Sequence, residues 1–257
     1  MKQAFVDRVN REMATDFPTA DLPPREALAA ACRILAREGH ESGLAGQVTA
    51  RAEGSSWWTL QFGYGFDEAS AERMVLVDED LQPLSGGRPN PGVRFHVWIY
   101  RKRPDVKAII HTHAPYASAL AATGQPMKTI HMDSAMLHGT AHLAEWPGVP
   151  VADDEGRIIS AALGDAKTIL LANHGLLAVG NSVEEAAYLA VFFERAARMQ
   201  LRAMAAGGFK EVKPELAAEA REFLLQPSIV RATFAYWSRS TSTDGSRPMP
   251  PAASSRR

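Results

Sequence analysis

Residues 106–116 read VKAIIHTHAPY, a short, mostly apolar run that ends in His111-Thr112-His113. Side chains on a β-strand alternate faces, so residues two apart point the same way. The spacing therefore predicts two imidazoles side by side at one strand end. Packing seldom needs that arrangement, whereas a metal ion does. Neutral imidazole is a common ligand for divalent metals, and a pair on one rigid element loses little entropy on binding.

A third imidazole lies further along, in KTILLANHGLLAVG (167–180), which reads as strand, turn, strand with Asn173-His174-Gly175 at the turn. His174 follows a buried strand and precedes a glycine, a placement suited to facing a site. Three histidines with an open position make a catalytic rather than a closed structural metal centre. Spacing alone leaves the ordinary alternative standing, in which each histidine is a hydrogen-bonded structural residue.

The surrounding chain alternates helical and strand patterns. Pro23 to Glu38 reads as a helix opened by prolines, with Leu28, Cys32, Leu35 and Ala36 as its apolar stripe and Gly39 closing it. Strands are expected near 48–51, 57–62 and 74–80, followed by the turn-rich 81–92. VRFHVWIYRK fits a short helix ended by Pro104, and 113–124 a helix beginning at the site itself. KTIHMDSAML (128–137) reads as strand plus turn, 138–153 as loop, and 154–164 as helix. The longest helix is 182–207, with Ser182 as N-cap and Val191, Phe192, Phe193 and Met199 as core or interface residues. Two short helices follow near 214–225 and 228–238. Residues 1–238 read as one domain, and the polar, Pro/Ser-rich 239–257 as a disordered tail. Short β-β connections mixed with helices predict an α/β fold: a three-layer αβα sandwich around a largely antiparallel or mixed sheet.

Composition narrows the function. The chain has 257 residues, 46% hydrophobic and 22% charged, with a net charge of -1, so nothing suggests a nucleic-acid surface. The lone cysteine, Cys32, excludes an intrachain disulfide and reads as an inert buried thiol. The N-terminus lacks the apolar segment of a signal peptide. No run approaches the roughly 20 apolar residues of a membrane span. A cytoplasmic location is expected. There is no G-x-G-x-x-G and no Walker-type phosphate loop.

Over residues 24–207 the sequence resembles the class II aldolase/adducin family. The matching pieces are SGLAGQVTAR, RFHVWIYRKRPDVKAIIHTHAPYASAL, and LLANHGLLAVG followed by VEEAAYLAVFFERAA. The resemblance implies the αβα fold, a homotetramer with sites at subunit interfaces, and a divalent metal on His111, His113 and His174. That metal is commonly zinc, with manganese or iron as the other candidates. It further implies a small-molecule substrate whose hydroxyl and carbonyl chelate the metal, so that the ion stabilises the charge left when a carbon–carbon bond breaks.

The sequence departs from the family pattern at one important place. Family aldolases carry an acid/base glutamate in a Ser-Ser-Glu turn before the helix that here reads VRFHVWIY; this chain has Asn90-Pro91-Gly92. Groups that usually hold a phosphate are also altered, with Gln47 in place of Asn and Ala45 in place of a hydroxyl residue. A non-phosphorylated substrate is therefore expected. His131-Met132-Asp133 resembles the His-x-Asp of family epimerases, which makes Asp133 a candidate acid/base residue; the ordinary reading is a turn cap with Ser134. His131 fits a supporting hydrogen bond better than a ligand position. Tyr116 is a candidate substrate contact. His96 reads as structural, and His40, His138 and His142 as turn residues without a role. These features favour a metal-dependent lyase by aldol cleavage or decarboxylation. An iron oxygenase or a non-catalytic association module are the alternatives.

Overall fold

The computed structural model describes residues 2–40, 42–149 and 151–241. Among them, one eight-stranded sheet runs in the order β4-β3-β2-β1-β5-β8-β7-β6. Its strands are β1 (Gln47–Arg51), β2 (Trp57–Leu60), β3 (Met74–Val77), β4 (Pro83–Ser85), β5 (Ala108–Thr112), β6 (Ala141–Leu143), β7 (Thr168–Leu171) and β8 (Gly175–Gly180). Every neighbouring pair is antiparallel except β6–β7, which is parallel. The expected mixed, mainly antiparallel sheet is therefore present.

Helices cover both faces, giving the three layers. On one face, α3 (Arg94–Lys102) and α5 (Asp153–Leu163) bring Phe95, Val97, Ile99, Ile159 and Leu163 onto Ile109, Ile169, Leu177 and Val179. The other face carries α2 (Pro24–Arg37), α4 (Pro115–Ala122), α6 (Val183–Ala205) and α8 (Pro227–Thr241). The strands β5, β7 and β8 are buried along their whole length. Burial on both faces explains why they read as unbroken apolar runs. In α6, Ser182 Oγ accepts from the Glu185 amide, as its N-cap role requires. Val191 and Phe193 of that helix are buried, while Met199 is exposed. Cys32 is buried in α2, and burial pushes its thiol up to about 12, so it is inert.

One element appears where none was expected, and several local expectations are corrected. The N-terminal segment forms a helix, α1 (Lys2–Asp16), whose polar sequence lacks a clear stripe; Met13 is its buried anchor. Residues 128–131 form no strand; instead a 3₁₀ helix covers Met132–Leu137, where Ser134 Oγ turns back onto the His131 carbonyl. The expected loop 138–153 contains β6, a parallel edge strand too short to show a period. The helix α8 runs to Thr241, past residue 239 where a polar tail was expected to begin; the remainder of that tail, 242–257, lies outside the described residues. The last of the remaining helices, α7 (Pro214–Leu224), falls where expected.

Two buried imidazoles make stability depend on pH. His40 and His96 are fully buried, and burial pulls both down to about 3. An unfolded chain takes up these protons near pH 6.5. Between about pH 6.5 and 3 the unfolded state therefore binds more protons, and stability falls as the pH falls. Between pH 7 and pH 5 each imidazole should remove about 2 kcal/mol of unfolding free energy. Urea titrations of metal-free protein should show this loss, and His96→Asn should reduce the fall between pH 7 and pH 5 by about 2 kcal/mol; an unchanged slope would refute the assignment.

Candidate active site

The site hangs from the end of β5. His111 is 1% exposed. Its Nδ1 lies 2.8 Å from the Leu176 carbonyl oxygen, which only accepts, so Nδ1 carries the proton and Nε2 keeps its lone pair. The Nε2 atoms of His113 and His174 lie 3.1 and 3.2 Å from that nitrogen. The three ligand atoms all fall within 4.8 Å of one another. Tetrahedral zinc with Zn–N bonds of 2.0–2.1 Å would set its nitrogens about 3.3 Å apart, so the spacing fits a shared divalent ion. Burial is the first cause holding each imidazole below its usual value; His174 falls to about 4. Each is therefore neutral at pH 7, the form that ligates metal.

The structure thus brings His111, His113 and His174 together, although β5 ends at Thr112 and His113 lies just beyond it. The backbone delivers His174 by a tight turn. Leu171 pairs with Gly175, leaving Ala172-Asn173-His174 as the loop. Asn173 takes φ +52°, a left-handed conformation that Asn tolerates better than most residues. A Cβ on Gly175 would sit 2.3 Å from the Thr112 carbonyl oxygen, so only glycine allows β8 to pass this close to β5. Ser118 Oγ donates to the His174 carbonyl at 2.8 Å, tying the loop to α4.

Two further groups hold the site, and the sequence analysis named neither role. The first is Glu194 on α6, only 6% exposed. Its two oxygens accept from the amides of Tyr116 and Ala117 at 2.9 and 2.8 Å. The segment His113-Ala114-Pro115 offers no capping side chain, so a carboxylate from another helix caps α4. Burial raises the Glu194 carboxyl, and the two amides pull it back. The signal was a glutamate inside the apolar run VFFERAA. The second is His40, whose Nδ1 lies 2.9 Å from Thr112 Oγ1, between the two ligands of the β5 end. His96, expected to be structural, bonds Thr49 Oγ1 at 2.9 Å.

Among the described residues, none of the other histidine or carboxylate candidates joins the cluster. Asp133 is exposed on the Met132–Leu137 3₁₀ helix and is not one of the clustered ligand groups; burial first, and then the Asp133 charge, push the Tyr188 hydroxyl up. Tyr116 is 39% exposed, with the Arg198 guanidinium 5.9 Å from its ring centre. His131 is half-buried, His138 follows the 3₁₀ helix, and His142 lies on β6. Gly92 is buried, and a Cβ there would meet Gln47 Nε2 at 2.7 Å. Asn90 Oδ1 accepts from the Gly92 amide at 2.9 Å, and Asn90 Nδ2 donates to the Leu44 carbonyl at 3.1 Å.

Two substitutions probe this scaffold. Gly175→Ala should push β8 off Thr112 and reduce bound metal well below one ion per chain; unchanged stoichiometry by elemental analysis would contradict the close approach. Glu194→Ala leaves two amides of α4 without acceptors and should lower unfolding free energy by about 1–3 kcal/mol. A change under about 0.5 kcal/mol would show that water replaces the carboxylate freely.

Comparison with known proteins places the chain in a family. The family described as Class II Aldolase and Adducin N-terminal domain matches residues 26–201. The chain is 32% identical over 217 residues to 3,4-dihydroxyphthalate decarboxylase of Arthrobacter keyseri, covering 77% of this chain and 86% of that one. It is 31% identical over 196 residues to 4-hydroxy-3-prenylphenylpyruvate oxygenase/4-hydroxy-3-prenylbenzoate synthase of Streptomyces roseochromogenus subsp. oscitans, covering 74% and 71%. The solved structure of L-fuculose 1-phosphate aldolase from Glaciozyma antarctica PI12 superposes with a TM-score of 0.77 at 28% identity, covering 91% of this chain and 95% of that one. On the match over 26–201 and on this fold, the chain belongs to the class II aldolase and adducin family.

Proposed function

We propose that this protein is a divalent-metal-dependent carbon–carbon lyase acting on a small, non-phosphorylated hydroxy-carbonyl or hydroxy-acid substrate. The observation that carries the reading is the convergence of three neutral imidazoles through Nε2. An ion held there, zinc in this reading, supplies a Lewis acid that stabilises negative charge on substrate oxygens. The chain's own residues supply the rest. His111 is fixed in one tautomer by the Leu176 carbonyl, and His40 and Glu194 hold the β5 end and the start of α4. Cleavage by loss of CO₂ needs an electron sink and no general base at position 92, which suits Gly92 and accords with the decarboxylase among the relatives. Aldol cleavage is the other lyase route, and the aldolase structure accords with it.

Proton transfer is assigned to Asp133, with Tyr116 as a substrate contact. Both are exposed and so are available to a neighbouring copy as well as to solvent. We propose a homotetramer with sites between subunits, working in the cytoplasm. Among the described residues no helix is long and apolar enough to cross a membrane. The second reading is a mononuclear iron oxygenase. Three neutral imidazoles select weakly between zinc and iron, and one relative is named as an oxygenase.

Elemental analysis of protein purified without added metal separates the two. Zinc or manganese with no oxygen uptake supports the lyase, and iron with oxygen uptake supports the oxygenase. No metal at all would leave only an association module. His113→Ala should abolish metal binding while the chain stays folded, and full stoichiometry would sink the site. Asp133→Asn should remove turnover and keep the metal; normal turnover would eliminate Asp133. Strong competitive inhibition by inorganic phosphate would count against a non-phosphorylated substrate.

A further inference from the structure

A groove of about 810 Å³ lies between α1 and α7, apart from the histidine site. Its wall is largely apolar, with Phe5, Val9, Met132, Leu216 and Phe223 facing it. Phe5, Met132 and Leu216 are 58%, 59% and 52% exposed. Large apolar side chains grouped bare on one surface mark a place where something binds. The rim is acidic: Asp7, Glu219 and Glu222 line the groove, and among the described residues no lysine or arginine does. Arg8 lies over the Phe5 ring and pairs with Glu12. On the same wall, Asn10 Oδ1 is buried and accepts no hydrogen bond from the described residues. A buried acceptor left without a donor is costly, and most such groups are satisfied. The groove therefore suits a ligand with an apolar side chain, positive charge and an N–H donor.

The chain itself carries a segment with these properties. Residues 246–257 read SRPMPPAASSRR, with three arginines, no acidic residue, and Met249 set among Pro248, Pro250 and Pro251. Proline-rich segments favour the extended polyproline helix and dock into aromatic-lined grooves at small entropic cost. The segment is also within reach. Gln226 lines the groove and directly precedes α8, whose 15 residues end at Thr241. At 1.5 Å per residue, that helix sets Thr241 about 21 Å from the groove edge. From Thr241 to Met249 an extended chain at 3.1 Å per residue covers about 25 Å, which brings Met249 to the groove. We propose that residues 246–257 occupy the α1–α7 groove of their own chain. Met249 seats against Phe5, Met132 and Phe223, the arginines face the acidic rim, and an arginine N–H donates to Asn10 Oδ1. The proposal concerns a surface apart from the metal centre and does not depend on the metal reading.

Methyl NMR of the full chain, isotope-labelled at its methionine methyls, tests this, with Met249→Leu identifying the Met249 signal. In the native chain that methyl should be shifted from the free-methionine position by the phenylalanine rings and should show a nuclear Overhauser contact with the Met132 methyl. Glu222→Lys reverses one charge on the exposed rim, and the double variant Arg256→Glu/Arg257→Glu alters only the segment. Each should return the Met249 signal to the free position and remove the contact. The methyl of Met136, 2% exposed in the same 3₁₀ helix as Met132, should stay in place and report an intact fold. A native Met249 signal at the free position, without contact to Met132, overturns the proposal. A contact seen only between differently labelled chains in a mixed sample also overturns it, because the groove would then hold a neighbouring copy's segment. A shift and contact that survive both variants overturn the charge pairing on which the assignment rests.

Discussion

The pairing of β5 with β8 is the interaction on which the site depends. It places His111 opposite Leu177, lets the Leu176 carbonyl accept a hydrogen bond from Nδ1–H, and brings the chain back at Gly175 against Thr112. His111 and His113 come from one strand end, and His174 from the turn that feeds the other strand. A slip of one residue in this register would turn His111 to the opposite face of the sheet. The near-continuous burial of both strands prevents that slip, because it would also disturb the packing of Ile109 and Ile110 on the two helical layers. The metal geometry is thus a by-product of strand register, fixed by apolar packing on both sides.

Burying three imidazoles together carries an electrostatic cost that shapes the surroundings. Protonating His111 would place a charge beside two other rings in a buried pocket, and all three are held neutral. The supports around them are uncharged or internally compensated. Thr112 meets the neutral His40, and the carboxylate of Glu194 spends its lone pairs on two backbone amides at a helix N-terminus. Among the described residues, no carboxylate joins the three imidazoles within ligand distance.

Much of this was legible in the sequence, for a physical reason. Strand alternation makes His-x-His a same-face pair, and a strand–Asn-His-Gly–strand pattern forces a tight turn, so local rules pointed to these three histidines as candidates, and the family resemblance joined them into one site. The layered fold was legible because the buried strands and the amphipathic helices carry distinct periods. What stayed hidden was tertiary. Nothing local links Glu194 to the amides of residues 116 and 117, or His40 to Thr112. The short β6 carries too few residues to show a period, and the polar α1 has no stripe to announce it. Gly92 was visible as a departure, but its consequence was not, because Gln47 reaches that space from a different element.

The missing carboxylate bears on what the site can accept. Charges at 4 Å interact by about 4 kcal/mol at the effective dielectric typical of protein sites, so one carboxylate more or less changes the balance substantially. A divalent ion held by three neutral imidazoles keeps its full double charge, whereas a glutamate would halve it. In the proposed reading the compensating negative charge would come from a metal-bound hydroxide or from the ligand. A hydroxy-acid or keto-acid carboxylate brings that charge, and a neutral sugar does not. Gln47, being neutral, leaves the demand in place. In the lyase reading proposed above, the glycine at position 92 thus leaves that charge to a metal-bound hydroxide or to a substrate carboxylate.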